Sequence, residues 1–509
     1  RRAPARAERA RIRAGACGEL RETADRPATR RRRTGGGSLS LGILAGMRLY
    51  NTLTRAVEEV VPVEPGHVKM YACGPTVYRY AHLGNLRTYM LADLIRRALR
   101  LEGFRVTLVQ NITDVGHMTD ESSPEAIDKM LLAVEDEGLQ PLEIAEKYTR
   151  SVFEDAAALG IDEPDMSPKA TEHIPEMIGL TKTLIDREHA YVVDNGSVYY
   201  DVASFDGYGK LSGNTLDKLR EGHRDLETDP RKHHPADFAL WKAAGPGRLM
   251  KWPSPWGDGF PGWHVECSAM SMEYLGDRID IHTGGTDLRF PHHEDEIAQS
   301  EGAVGHRVVS IWVHGGHLRQ AGQKIAKSTG NVVRVQDLVD RGIDPLSFRW
   351  LCFQTQYRSE MDFSWDAMET ADQRVKQLRR RMAGWAPAAE ASSDEAVAFD
   401  GRFRAALADD LSFPAAVRVV NELVSSTAVP GGEKYALLAD WDDVLGLDLQ
   451  REAVAAWSPT EEMRALMKER DEARAAKDYA TSDRIREQLT SMGVEVMDTA
   501  TGTQVRPRD

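Results

Sequence analysis

Cysteine is scarce, with four in 509 residues. So few exclude a disulfide framework and suit a reducing compartment, where a paired cysteine is more often a metal ligand. No apolar run reaches about 18 residues, which excludes a membrane-spanning helix. Basic charge is also short. The net charge is −14, whereas a nucleic-acid binder is usually basic, so any such binding must come from local patches. Internal repeats are missing, which excludes a solenoid. What is present is an ordinary globular balance, 41% hydrophobic and 28% charged, and it excludes a disordered or fibrous chain. The length exceeds one compact domain and predicts about two to four.

Residues 1–46 stand apart from the rest. They hold 12 arginines against 4 acidic residues, a net of +8, so the other 463 residues carry −22. The run Arg30 to Arg33 leads into Gly35, Gly36 and Gly37, and apolar periodicity starts only near Met47. An Arg-rich leader suggests an organellar transit peptide. Glu8, Glu19, Glu22 and Asp25 speak against that. The reading adopted is a mis-called start with Met47 as the true one, and this segment is left out of the fold.

From Val68 a short β-rich run meets a Gly-Pro turn. Leu91, Leu94, Ile95 and Leu99 then recur near a 3.6 period, Gly103 stops the pattern, and Val106 to Val109 reads as the next strand. Strand, helix, strand predicts a βαβ unit and a parallel sheet. Residues 124–190 read as mostly helical. Residues 191–262 read as an irregular insertion. Strands return at Ile279–His282 and Val308–Val313. Helices dominate from about 365 to 445, with one linker at Pro387–Ser393 and a second around Ser458-Pro459. The last 50 residues read as two helices and a hairpin around Gly502.

Three constellations carry chemistry. Cys73 and Cys267 join the helix opening Pro291-His292-His293-Glu294-Asp295-Glu296. His292 and Glu296, four apart, share a helix face, and with two cysteines they make a zinc-type donor set. The bland alternative is two small buried cysteines and a solvated acidic helix face. Spacing alone does not choose between His292 and His293. The second constellation is His82-Leu83-Gly84-Asn85, a small turn at a helix start that suits phosphate. The third is Lys324-Ile325-Ala326-Lys327-Ser328, a cationic loop able to neutralise polyphosphate. Each of the last two is weak alone.

Together they resemble a known pattern. His82–Asn85 resembles the HIGH motif of class I aminoacyl-tRNA synthetases, and Lys324–Ser328 resembles their KMSKS motif, in the same order and widely separated. The stretches CGPTVYRYAHLGNLRT, WPSPWGDGFPGWHVECSAMS and GGTDLRFPHHEDEIAQSE resemble the cysteinyl-tRNA synthetase branch, and the resemblance covers essentially all of 48–509. It implies an α/β fold. A Rossmann-like catalytic domain would span 47–335, with an insertion at about 160–260. A stem-contact region (336–385), a helical bundle (386–457) and a small anticodon-binding domain (458–509) would follow.

The resemblance also implies roles. One Zn²⁺ would be held by Cys73, Cys267, His292 and Glu296. Thr113, Trp263 and Asp287, with Cys73, would line the cysteine pocket. His82, Gly84 and Asn85 would serve ATP, with Lys324, Lys327 and Ser328 at its phosphates and Mg²⁺ accompanying it. The substrates would be ATP, L-cysteine and tRNA(Cys), with a cytoplasmic location, no membrane and a monomer as the default. Two departures stand out. Asn85 replaces the last His of HIGH and cannot carry a proton, and Ile325-Ala326 fills the middle of KMSKS. Both read as tolerated variants. Two rivals remain: a small-molecule cysteine ligase of the mycothiol type, and a non-catalytic zinc- or RNA-binding relative.

Overall fold

The computed structural model describes residues 46–509 except 117–128, 215–228, 246, 321–322, 325–331, 386–387, 389, 452–458, 477, 493, 500–501 and 508–509. Its centre is a four-stranded parallel sheet. The strands are β1 (His67–Ala72), β2 (Arg105–Gln110), β3 (Ile279–Gly285) and β4 (Val309–Gly315), in the order β4-β3-β1-β2. Helix α1 (Leu83–Leu101) connects β1 to β2, so the expected βαβ unit is present, in register from His67 opposite Arg105 to Ala72 opposite Gln110. Leu83, Leu86, Met90, Leu91, Leu94, Ile95, Ala98 and Leu99 form the buried stripe of α1, as their spacing predicts. The strand order reverses between β1 and β3. Their carboxyl ends therefore open a crevice, the usual ligand site of such sheets.

Beyond β4 lies a second, three-stranded sheet. It consists of β5 (Leu318–Gln320), β6 (Gln323–Lys324) and β7 (Met361–Phe363), with β5 in the middle. The stretch 191–262 departs from its irregular reading. Strands Ala190–Val192, Val198–Tyr200, Phe238–Ala243 and Gly259–Pro261 form an antiparallel sheet there. Most are three residues long, too short for alternation to register. Helices Trp365–Ala383, Asp394–Ala408, Phe413–Ser425 and Gly431–Leu445 form the expected helical region. Helices Glu461–Ala475 and Tyr479–Ser491 precede the hairpin of Val494–Thr499 and Gly502–Pro507. No helix among the described residues is long and apolar enough to cross a membrane.

One buried ionic hub ties α1 to the helical region. Asp93, on α1, meets Arg96, Arg97 and Arg349 within 3.3 Å. Arg349 also donates to the carbonyls of Gly160 (3.1 Å) and Leu445 (2.7 Å). Asp93, Arg96 and Arg349 are at most 1% exposed. Breaking such a pair on one side strands buried charge, so Asp93→Ala is expected to cost about 3–5 kcal/mol of stability. The denaturant midpoint measures this, and an unchanged midpoint refutes it.

Candidate active site

Cys73 follows β1 at the crevice. Its N–H donates to the Thr283 carbonyl of β3 at 3.1 Å, which fixes it at the strand-order reversal. Helix α2 (Trp263–Leu275) brings Cys267, and helix α3 (His292–Val304) brings His292 and Glu296. The two sulfurs are 3.9 Å apart. Cys73 Sγ lies 3.6 Å from Glu296 Oε1, and His292 Nε2 lies 3.1 Å from the same oxygen. All four side chains are buried and their donor atoms fall within 4.8 Å of one another. Two Zn–S bonds of about 2.3 Å at a tetrahedral angle separate the sulfurs by about 3.8 Å, so the donor set fits zinc in chemistry and in size.

His282 and His293 also face this centre, at 3.5 Å and 3.2 Å from Cys73 Sγ. With Cys73 and Glu296 they make a second donor set that shares two members with the first. The ambiguity between His292 and His293 thus has a physical basis: both rings reach the cluster. Burial pushes the Cys73 thiol and the Glu296 carboxyl well up and holds His282 and His293 well below the usual imidazole range. His282 and His293 are therefore neutral, and a metal held by Cys73 would have to displace its thiol proton.

The run His292 to Glu296 is no solvated face, for every member is at most 2% exposed. Glu294 accepts the N–H groups of Leu211 and Ser212, and Asp295 accepts the Tyr208 hydroxyl. The insertion thereby clamps α3. His292 Nδ1 lies 2.8 Å from His264 Nδ1, whose Nε2 is 3.3 Å from Asp295. His293 Nδ1 lies 2.8 Å from His314 Nε2. Such outer contacts orient ligating rings. Sequence reasoning passed over His264, His282 and His314, although two signals were present: His264 stands three residues before Cys267, and His282 ends the strand expected at Ile279–His282.

Cys73, Asn85, Trp263 and Asp287 line one cleft of about 230 Å³, together with Arg79 and Tyr89. Trp263 packs its ring 4.7 Å from that of His292, joining the cleft wall to the donor set. Asp287 is half exposed. Thr113 does not line this cleft. It is buried, and its hydroxyl donates to Glu266 at 2.9 Å.

His82 caps α1. The Asn85 N–H donates to His82 Nδ1 and the His82 N–H donates to Asn85 Oδ1, both at 3.2 Å. Asn at this position therefore completes a reciprocal cap. A Cβ on Gly84 would come within 2.9 Å of His82 Nδ1, so glycine leaves that ring its place. Lys324 belongs to β6, its backbone paired with Arg319. Lys327 and Ser328 lie outside the described residues.

Comparison with known proteins covers both ends of the molecule. Residues 59–373 match the family described as tRNA synthetases class I (C) catalytic domain, and residues 459–506 match the cysteinyl-tRNA ligase anticodon binding domain. A cysteine–tRNA ligase of Thermus thermophilus is 43% identical over 486 residues, 91% of this chain and 99% of the relative. That of Chlorobaculum tepidum is 42% identical over 483 residues, 90% and 98% of the two chains. Among solved structures, the LeuRS of Agrobacterium radiobacter K84 in its ternary complex has the same general fold. The TM-score is 0.53 at 10% identity, covering 78% of this chain and 86% of that one.

Proposed function

Because this chain belongs to the cysteine–tRNA ligase family of class I aminoacyl-tRNA synthetases, we propose the following division of labour among its residues. Cys73, Cys267, His292 and Glu296 hold one Zn²⁺ at the edge of the cleft. A zinc ion there supplies a soft Lewis acid that favours a thiolate over a hydroxyl. Trp263 walls the cysteine side of the cleft. Asp287 offers a carboxylate to the substrate ammonium group. Thr113 acts from behind, holding Glu266.

ATP, with Mg²⁺, lies toward the N-terminus of α1. His82 and Asn85 donate hydrogen bonds to its phosphates, Gly84 gives them room, and Lys324, Lys327 and Ser328 meet the leaving end. The cysteine carboxylate attacks the α-phosphorus, the bond to the β-phosphate oxygen breaks, and pyrophosphate departs. A terminal ribose hydroxyl of tRNA(Cys) then takes the cysteinyl group and releases AMP. Chemistry of this kind is mostly positioning and charge stabilisation. That accounts for a site whose residues bind and orient and include no proposed nucleophile. We read the enzyme as a cytoplasmic monomer.

The observation that carries this reading is the four-donor set whose member Cys73 lines the same cleft as Asn85. Charging purified tRNA with labelled cysteine and, in parallel, serine tests it. Cysteine should win by far more than the roughly 100-fold that shape gives between near-isosteres. The small-molecule rival predicts cysteine-dependent pyrophosphate exchange without tRNA charging, and the non-catalytic rival predicts neither. The match of residues 459–506 favours tRNA.

A further inference from the structure

Arg87 lies two residues beyond Asn85 on α1 and is 7% exposed. It donates to four main-chain carbonyls: Gly316 (2.6 Å), His317 (3.0 Å), Tyr357 (3.4 Å) and Ser359 (2.9 Å). Gly316 and His317 connect β4 to β5, while Tyr357 and Ser359 immediately precede β7. A single guanidinium thus grips the roots of two neighbouring strands. The two connectors are also tied to each other. The Gly316 N–H donates to Tyr357 (2.8 Å) and the Met361 N–H to His317 (2.9 Å). A Cβ on Gly316 would come 2.2 Å from the Ser359 carbonyl oxygen, so this close approach requires glycine.

The strand between these roots is β5, which pairs with β6, the strand containing Lys324. On the far side of the same segment, the Leu83 N–H of α1 donates to the Val333 carbonyl at 2.9 Å. Both flanks of the lysine segment are therefore bonded to the first two turns of α1, which also carry His82 and Asn85. Burying an arginine to satisfy carbonyls is costly where an apolar side chain would pack more simply. Its planar fork holds several acceptors in one fixed geometry, which a point charge does not.

We propose that Arg87 is a positioning residue for adenylate formation, fixing β5, and through it the strand of Lys324, relative to His82 and Asn85. This rests on the assignment of both motifs to ATP made above. Arg87→Lys keeps the charge and loses the fork. It should lower kcat for cysteine-dependent pyrophosphate exchange by about tenfold or more and raise KM for ATP. KM for cysteine and zinc content should stay as in the parent. A purely structural defect would move both substrates together.

A kinetic cycle sharpens the test. In a Lys324→Ala background, Arg87→Lys should cost less than about twofold further, because the lysine whose strand it positions is already gone. Equal fold losses in the two backgrounds, or unchanged ATP parameters in Arg87→Lys, overturn the proposal. Should Arg87→Lys not fold, Gly316→Ala spreads the connectors without altering the guanidinium, and the same split between ATP and cysteine is required of it. A parent chain without cysteine-dependent exchange would instead refute the functional reading.

Discussion

Cys267→Ala is expected to emerge folded but without its metal, and to activate cysteine at least about 100-fold more slowly than the parent. Loss of an outer partner alone typically costs a metal site 10–100-fold, and here a thiolate ligand itself is removed. Metal analysis and pyrophosphate exchange read the two effects. The variant also separates the two donor sets, because Cys267 belongs only to the one containing His292. Full metal occupancy would move the ion to His282 and His293 and sink the proposed ligand set. Cys73→Ala removes a donor common to both sets and should abolish binding in either case.

A chain ending near Ala456 should keep cysteine-dependent pyrophosphate exchange and charge tRNA about 100-fold less well, equivalent to about 2.8 kcal/mol of lost interaction. Every residue assigned to activation precedes that cut. The removed part builds its own small core from Met463, Ile485, Leu489, Val494 and Val496. Arg464, Lys468, Arg474, Arg484 and Arg486 stand exposed on its two helices. Arg470 does not join them: it is 2% exposed and donates to the Thr503 hydroxyl, so its role is internal. Lys477 lies outside the described residues. For every tRNA phosphate that the shortened chain no longer neutralises, the salt dependence of binding should flatten by about one unit of slope or slightly less. A truncated chain that charges tRNA as well as the full one would falsify the assignment of tRNA binding to this part.

Periodic features were legible in the sequence. The stripe on α1, its stop at Gly103, the flanking parallel strands and the final hairpin all follow from local spacing and turn residues. The antiparallel sheet of the insertion was not, because three-residue strands carry no readable period. For the acidic run after Pro291, a solvated helix face stood as the bland alternative to the donor set, and the structure removes it. The run is buried because Leu211, Ser212 and Tyr208, more than 80 residues earlier, satisfy Glu294 and Asp295. For the same reason nothing local marks Arg87, whose acceptors are backbone carbonyls more than 200 residues away. Site chemistry was readable where a residue type is itself unusual, as with Cys73 and Cys267. It was hidden where an ordinary histidine becomes functional only through what it faces.

The Asp93–Arg349 hub has a consequence for how such a chain can be divided and inherited. A single apolar cluster runs from Met47 to Leu449, taking in both α1 and the helices that follow the second sheet. A breakpoint between catalytic sheet and helical region would expose that cluster and strand the buried charges on both fragments. A breakpoint in 450–460 crosses no cluster among the described residues. Recombination can therefore exchange or discard the terminal module without opening a buried cluster among the described residues, while residues 47–449 must travel together.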